Sequence, residues 1–134
     1  MLWCKMNSIL EVKFKNSDVF NNGFVVPWHP KLIQLALWIC TLDIEVIFTS
    51  LYRHGENSVH GTNPLRGFDI RSWVIPHPEI IEDMTNKHWQ YDPKRPEKKI
   101  ALLHEVKDEE GIGQGIHFHF QVHPNTRKVS GSDI

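Results

Sequence analysis

The chain contains nine histidines, and two of them stand together in Ile116–Val122, IHFHFQV. Read as a strand, this segment sends alternate side chains to opposite faces. Ile116, Phe118, Phe120 and Val122 then share a core face, and His117, His119 and Gln121 share the other. Two imidazoles spaced i, i+2 on a rigid strand can converge on an ion or a substrate. The plainer alternative is two half-exposed polar positions on the solvent side of a sheet. His60 lies in the glycine-rich stretch SVHGTNPLRGFDIRS, and Asp69 enters the strand that follows. Taken singly, one is a turn residue and the other a strand-end cap. Taken together, two histidines and a carboxylate supply three of the nitrogen and oxygen ligands that Zn²⁺ accepts, with a fourth position left for water. Arg53 closes the run Thr49-Ser50-Leu51-Tyr52-Arg53. There a guanidinium can bind a carboxylate or stabilise an oxyanion, or simply make a surface ion pair of little energetic consequence.

These groups need a scaffold, and the hydrophobic pattern supplies one. Leu10, Val12 and Phe14 alternate with Glu11, Lys13 and Lys15, the mark of a half-buried strand. NSDVFNNG reads as a turn-rich loop. Pro30 suits the first turn of a helix, and Leu32, Leu35, Ala36, Ile39 and Leu42 follow at helical spacing. Glu45 to Ser50 and Phe68 to Val74 read as strands, separated by a loop from Tyr52 to Gly67. Pro78 opens a second helix with Ile80, Ile81, Met84 and His88 on one face. DPKRPEKK, Asp92 to Lys99, is a charged connector. Ile100 to Val106 and Ile116 to Val122 form a hairpin through KDEEGIGQG. The expected architecture is α+β, a small, mostly antiparallel sheet with two helices packed on one face. One domain over 1–124 is followed by a polar, frayed tail over 125–134.

Composition narrows the function. A chain of 134 residues fits one domain that buries about two-thirds of its unfolded surface. It therefore folds without disulfides, and Cys4 and Cys40 read as free thiols in a reducing compartment. The formal net charge of −1 argues against a nucleic-acid footprint. No apolar run is long enough to span a bilayer, and MLWCKMNSIL lacks the apolar stretch of a targeting segment. The expectation is a cytoplasmic monomer with no membrane or nucleic-acid partner.

The order Ser-x-Tyr-Arg (Ser50 to Arg53), Ser-x-His-Gly (Ser58 to Gly61), Gly-x-Asp-Ile (Gly67 to Ile70) and a late histidine resembles the zinc D-Ala-D-Ala peptidases and their Hedgehog-like relatives. The resemblance covers Thr49 to Val122. It implies a Hedgehog/DD-peptidase-like fold with Zn²⁺ held by His60, Asp69 and His119, and Arg53 stabilising the polarised carbonyl. In many members a glutamate three residues before the last ligand is the general base, and Ile116 occupies that position here. A second branch, which includes murein endopeptidases, has a histidine two residues before the ligand, and His117 matches it. The stretch Gly61 to Phe68, between the first two ligands, is two residues longer than is usual in the family, an easy loop insertion.

The implied activity is hydrolysis of peptide bonds in bacterial peptidoglycan, in a stem peptide or cross-bridge, by a D,D-carboxypeptidase or endopeptidase of the phage endolysin kind. Such an enzyme would reach the wall on host lysis. His117 would handle the water's proton, with Glu105 a rival on the opposite strand face from His104. His104, Gln121 and Ser58 are candidates to orient the ligands. Three other readings compete. A non-catalytic member would keep the fold and the ion. A histidine-hydrophobic-histidine endonuclease would cut single-stranded DNA with Tyr91 as nucleophile. A cupin-like barrel would use Gly111, His117 and His119.

Overall fold

The computed structural model describes residues 2–5, 11–107, 110 and 113–129. Its elements are β1 (Leu2–Lys5), β2 (Glu11–Phe14), α1 (Ser17–Gly23), α2 (Pro30–Cys40), β3 (Ile47–Ser50), a single 3₁₀ turn (Val59–Gly61), β4 (Gly67–Arg71), α3 (Pro78–His88), β5 (Trp89–Gln90), β6 (Ala101–Lys107), β7 (Gly113–Gln121) and β8 (Arg127–Lys128). Six strands form one open sheet in the order β1-β2-β3-β4-β7-β6, and β5 pairs with β8. The class is α+β, as the pattern predicts. Every pairing in the large sheet is antiparallel except β2 with β3. That exception follows from connectivity, because α1 and α2 lie between the two strands and parallel neighbours need a crossover. Leu10 and the centre of the β6–β7 loop, including Gly111, lie outside the described residues, as do positions 130–134.

The sheet separates the apolar from the chemical. Phe68 and Ile70 of β4 and Phe118 and Phe120 of β7 are fully buried and join Leu32, Leu35 and Ile39 of α2 in one core. Asp69, His117 and His119, one residue out of phase, face the other way. Ile116, assigned by alternation to the core face, is 60% exposed.

Several local expectations change. NSDVFNNG is not a loop. Asn16 caps α1 by accepting a hydrogen bond from the Val19 amide on its side chain (3.0 Å), and a good cap outweighs weak helix formers in so short a segment. A third helix thus joins the two expected. The strand expected over 68–74 ends at Arg71, where a turn closes from the Ile75 amide to the Ser72 carbonyl. Helix α3 buries Ile81, Thr85 and His88, whereas Ile80 and Met84 are exposed. The helix is rotated because it serves the edge of β6 as well as the core. Asn86 accepts from the Ile100 and Ala101 amides and donates to the Ala101 carbonyl, and Glu82 accepts from the Leu103 amide. Those backbone groups would otherwise be left on an open edge strand. The segment from Asn125 is not frayed through Lys128. Thr126 is fully buried and donates to the Tyr91 carbonyl, which seats β8 against β5. Among the described residues no helix is long and apolar enough to cross a membrane.

Candidate metal centre

Strand β4 is the spine of the site. Asp69 pairs across to Ser50 of β3 on one side and to His119 of β7 on the other. The 3₁₀ turn brings His60 over the same point, held by its own backbone. The Ser58 hydroxyl accepts from the His60 amide (3.1 Å), and the His60 carbonyl accepts from the Arg53 amide (2.7 Å). The turn packs tightly. A side chain at Gly61 would strike the Glu56 carbonyl, and one at Gly67 would strike Val59, so both glycines are required by close approach.

His60, Asp69 and His119 each offer a ligand atom, and these atoms lie within 4.8 Å of one another. His60 Nε2 is 3.3 Å and His119 Nδ1 2.8 Å from the same oxygen, Asp69 Oδ1. His60 is 3% exposed and Asp69 7%.

The surroundings decide which nitrogen of each ring faces Asp69. His60 Nδ1 lies 2.9 Å from the Leu51 carbonyl. A carbonyl only accepts, so Nδ1 donates and Nε2 is the nitrogen turned toward Asp69. Gln121 Nε2 donates to the Lys99 carbonyl (2.8 Å), which turns Gln121 Oε1 toward His119 Nε2 at 3.1 Å. Each nitrogen of the His119 ring thus faces an acceptor, Gln121 Oε1 at Nε2 and Asp69 Oδ1 at Nδ1. One nitrogen of each imidazole and one carboxylate oxygen thus converge, and a proton or a cation must stand between them. The donor set fits a divalent ion, and the hydrogen bonds behind it are those that orient metal-ligating histidines. Burial pushes the Asp69 carboxyl up, but hydrogen bonds from His119 and His60 and their positive charge outweigh it and hold the group well below the usual carboxylate range.

Asp69 opens onto a groove of 1080 Å³ whose lining includes Arg53, Arg71, Trp73, His104 and His117. His117 stands one strand step from His119 on the same face. The His104 ring is 6.2 Å from that of His117 and 6.3 Å from that of His119. His104 pairs with His117 and Glu105 with Ile116, and both His104 and Glu105 line the groove. Arg53 reaches the groove, but its Nε is 2.6 Å from Glu56 Oε2. Of the proposed orienting groups, Gln121 binds a ligand side chain directly and Ser58 holds the backbone of another. Tyr91 is 6% exposed and packed between Arg95 and His123, and it is absent from the groove lining.

Sequence reasoning missed two contributors. The Leu51 carbonyl is a backbone group with no side-chain signature. Arg71 was legible by alternation, two residues beyond Asp69 on the same strand. No protein-family model, no curated protein and no solved structure matches this chain.

Proposed function

We propose that the chain is a zinc-dependent hydrolase that cleaves peptide bonds of bacterial peptidoglycan, working as a monomer that meets the wall when the host lyses. The observation that supports this most directly is the convergence of His60, Asp69 and His119, whose ligand atoms lie within 4.8 Å of one another. Two histidines turned toward one buried carboxylate, which itself opens onto a groove, make a three-ligand site. Zinc bound there would acidify water and polarise a scissile carbonyl.

The chain's own residues do the rest. His60, Asp69 and His119 hold the ion, with the Leu51 carbonyl and Gln121 fixing ring orientation. His117 takes the proton of the attacking water and returns it to the leaving amine, the work of a group whose ordinary pKa lies near neutrality. Arg53 stabilises the developing oxyanion once substrate draws it from Glu56. The sequence resemblance narrows the substrate to stem peptides or cross-bridges.

The test is digestion of isolated peptidoglycan by zinc-loaded protein. New amino termini or free D-alanine should appear, a chelator should stop their release, and added zinc should restore it. Release of reducing sugars instead would mean glycosidic chemistry, which uses paired carboxylates. Ile116, exposed where many relatives in the resembling family carry a base, favours a second reading as a non-catalytic metal-binding protein. Full zinc occupancy with no digestion of any wall type would establish it.

A further inference from the structure

Two rows of residues stand in register across the strands that carry the metal centre. One runs Ser50, Asp69, His119, Leu102, and the next runs Arg71, His117, His104. The first row contributes two of the three converging groups. In the second, His117 of β7 and His104 of β6 are direct cross-strand partners. Such partners have Cβ atoms about 4.5–5.5 Å apart, near enough for their rings to act on one ligand.

His104 and His117 both line the groove; the first is exposed and the second half-buried. Their ring centroids are 6.2 Å apart. Among the described residues neither ring makes a hydrogen bond or an ion pair. The His119 ring, 6.3 Å from that of His104, differs in this respect, because its two nitrogens face Gln121 and Asp69. His119 is thus committed to the centre already described, and His104 and His117 are left to each other. Glu105, the one acidic residue of β6, lines the same groove and adds a negative charge beside them.

We propose that His104 and His117 together hold a second divalent transition-metal ion, bound more weakly than the first. Imidazole nitrogen suits zinc, copper and nickel. With zinc–nitrogen bonds of about 2.0–2.1 Å, two rings on one ion have centroids about 4.5 to 6.4 Å apart as the angle between them opens from a right angle to a straight line. The His60 and His119 rings, 5.2 Å apart, fall in the middle of that range. The His104 and His117 rings fall near its upper end, and with no hydrogen bond to hold them they can turn toward a shared ion. Water completes the coordination. Two neutral nitrogens bind less strongly than two nitrogens and a carboxylate, so at one ion per chain the three-ligand centre fills first. The consequence for activity rests on the hydrolase reading, in which His117 accepts the water's proton. A neutral imidazole has one ring nitrogen able to accept, and an ion that takes it leaves none for the proton. Metal in excess therefore inhibits the reaction that the first ion supports.

The experiment titrates the full chain, stripped of metal, with zinc and reads binding by calorimetry. The wild type should take two ions per chain, one tightly and one weakly. His104→Ala and His104→Gln should each lose the weak event and keep the tight one, which also shows that both variants are folded. Peptidoglycan digestion by the wild type should rise up to one equivalent of zinc and fall beyond it, whereas His104→Ala should hold the rate it reaches at one equivalent. A single event in the wild type, or a weak event of unchanged affinity in both variants, would overturn the site. Equal depression of wild type and His104→Ala by excess zinc would overturn the inhibition. No digestion by either protein would remove the hydrolase, and the calorimetry would still decide whether His104 and His117 bind an ion.

Discussion

His119 Nδ1 lies 2.8 Å from Asp69 Oδ1 across the β4–β7 pair, and the hydrogen-bond chain behind it, from His119 through Gln121 to the Lys99 carbonyl, turns that nitrogen toward the carboxylate. A ring free to flip would present either nitrogen. This one is held by the amide of Gln121, whose own orientation is set by a backbone carbonyl, so the ligating nitrogen is aimed before any ion arrives.

Removing a ligand should remove the metal. His60→Ala, Asp69→Ala and His119→Ala should each fall well below one zinc per chain by elemental analysis. Gln121→Leu should keep the fold but weaken zinc binding by about 10- to 100-fold, the usual effect of losing a group that orients a ligand. Unchanged affinity in Gln121→Leu would show that packing alone holds the His119 ring.

His117 stands two residues before His119 on the same strand and lines the groove, but it is not one of the three converging groups. His117→Ala should therefore retain zinc and lose about 10²- to 10⁴-fold in hydrolytic rate. Loss of zinc in this variant would make His117 a ligand and reopen the choice between it and His119.

The strands and the α2 helix were legible in sequence because alternation and helical spacing report burial directly. Asp69 and His119 were legible as well, since strand period alone places them opposite Phe68 and Phe118. The short α1 helix was not, because its signal is one cap at Asn16 and not a periodic face. The face of α3 was misread because Asn86 and Glu82 answer to the backbone of β6, a partner that hydrophobic spacing cannot reveal. The pairing of β8 with β5 depends on Thr126, a residue whose type reads as loop until its hydroxyl is seen to bind the Tyr91 carbonyl.

Asn86 gives a stability test independent of any metal. Its side chain satisfies three backbone groups at the edge of β6. Asn86→Leu leaves them without partners in a part-buried setting, at about 1–3 kcal/mol for a group so stranded. Denaturant titration should show that loss, with an unchanged dependence on denaturant concentration. A midpoint equal to that of the wild type would mean that water replaces the side chain without penalty.

The pH dependence of the apo fold should carry a term from His29. This residue caps α2, its Nδ1 accepting from the Lys31 amide at 3.1 Å. Burial holds its pKa below the ordinary histidine value, and the charges of Arg66, Lys31 and His123 add to the effect. Protonation is thus harder in the folded chain than in the unfolded one. The associated stability is fully present above the unfolded value near 6.5 and is lost as pH falls through the lower folded value. A protonated Nδ1 cannot accept a hydrogen bond, so the cap is lost with it. His29→Asn keeps an acceptor that does not titrate. The wild type should therefore lose more Tm than His29→Asn on going from pH 7.5 to pH 5, the remaining histidines being common to both. Parallel Tm profiles for the two proteins would show that the His29 ring does not cap the helix in solution.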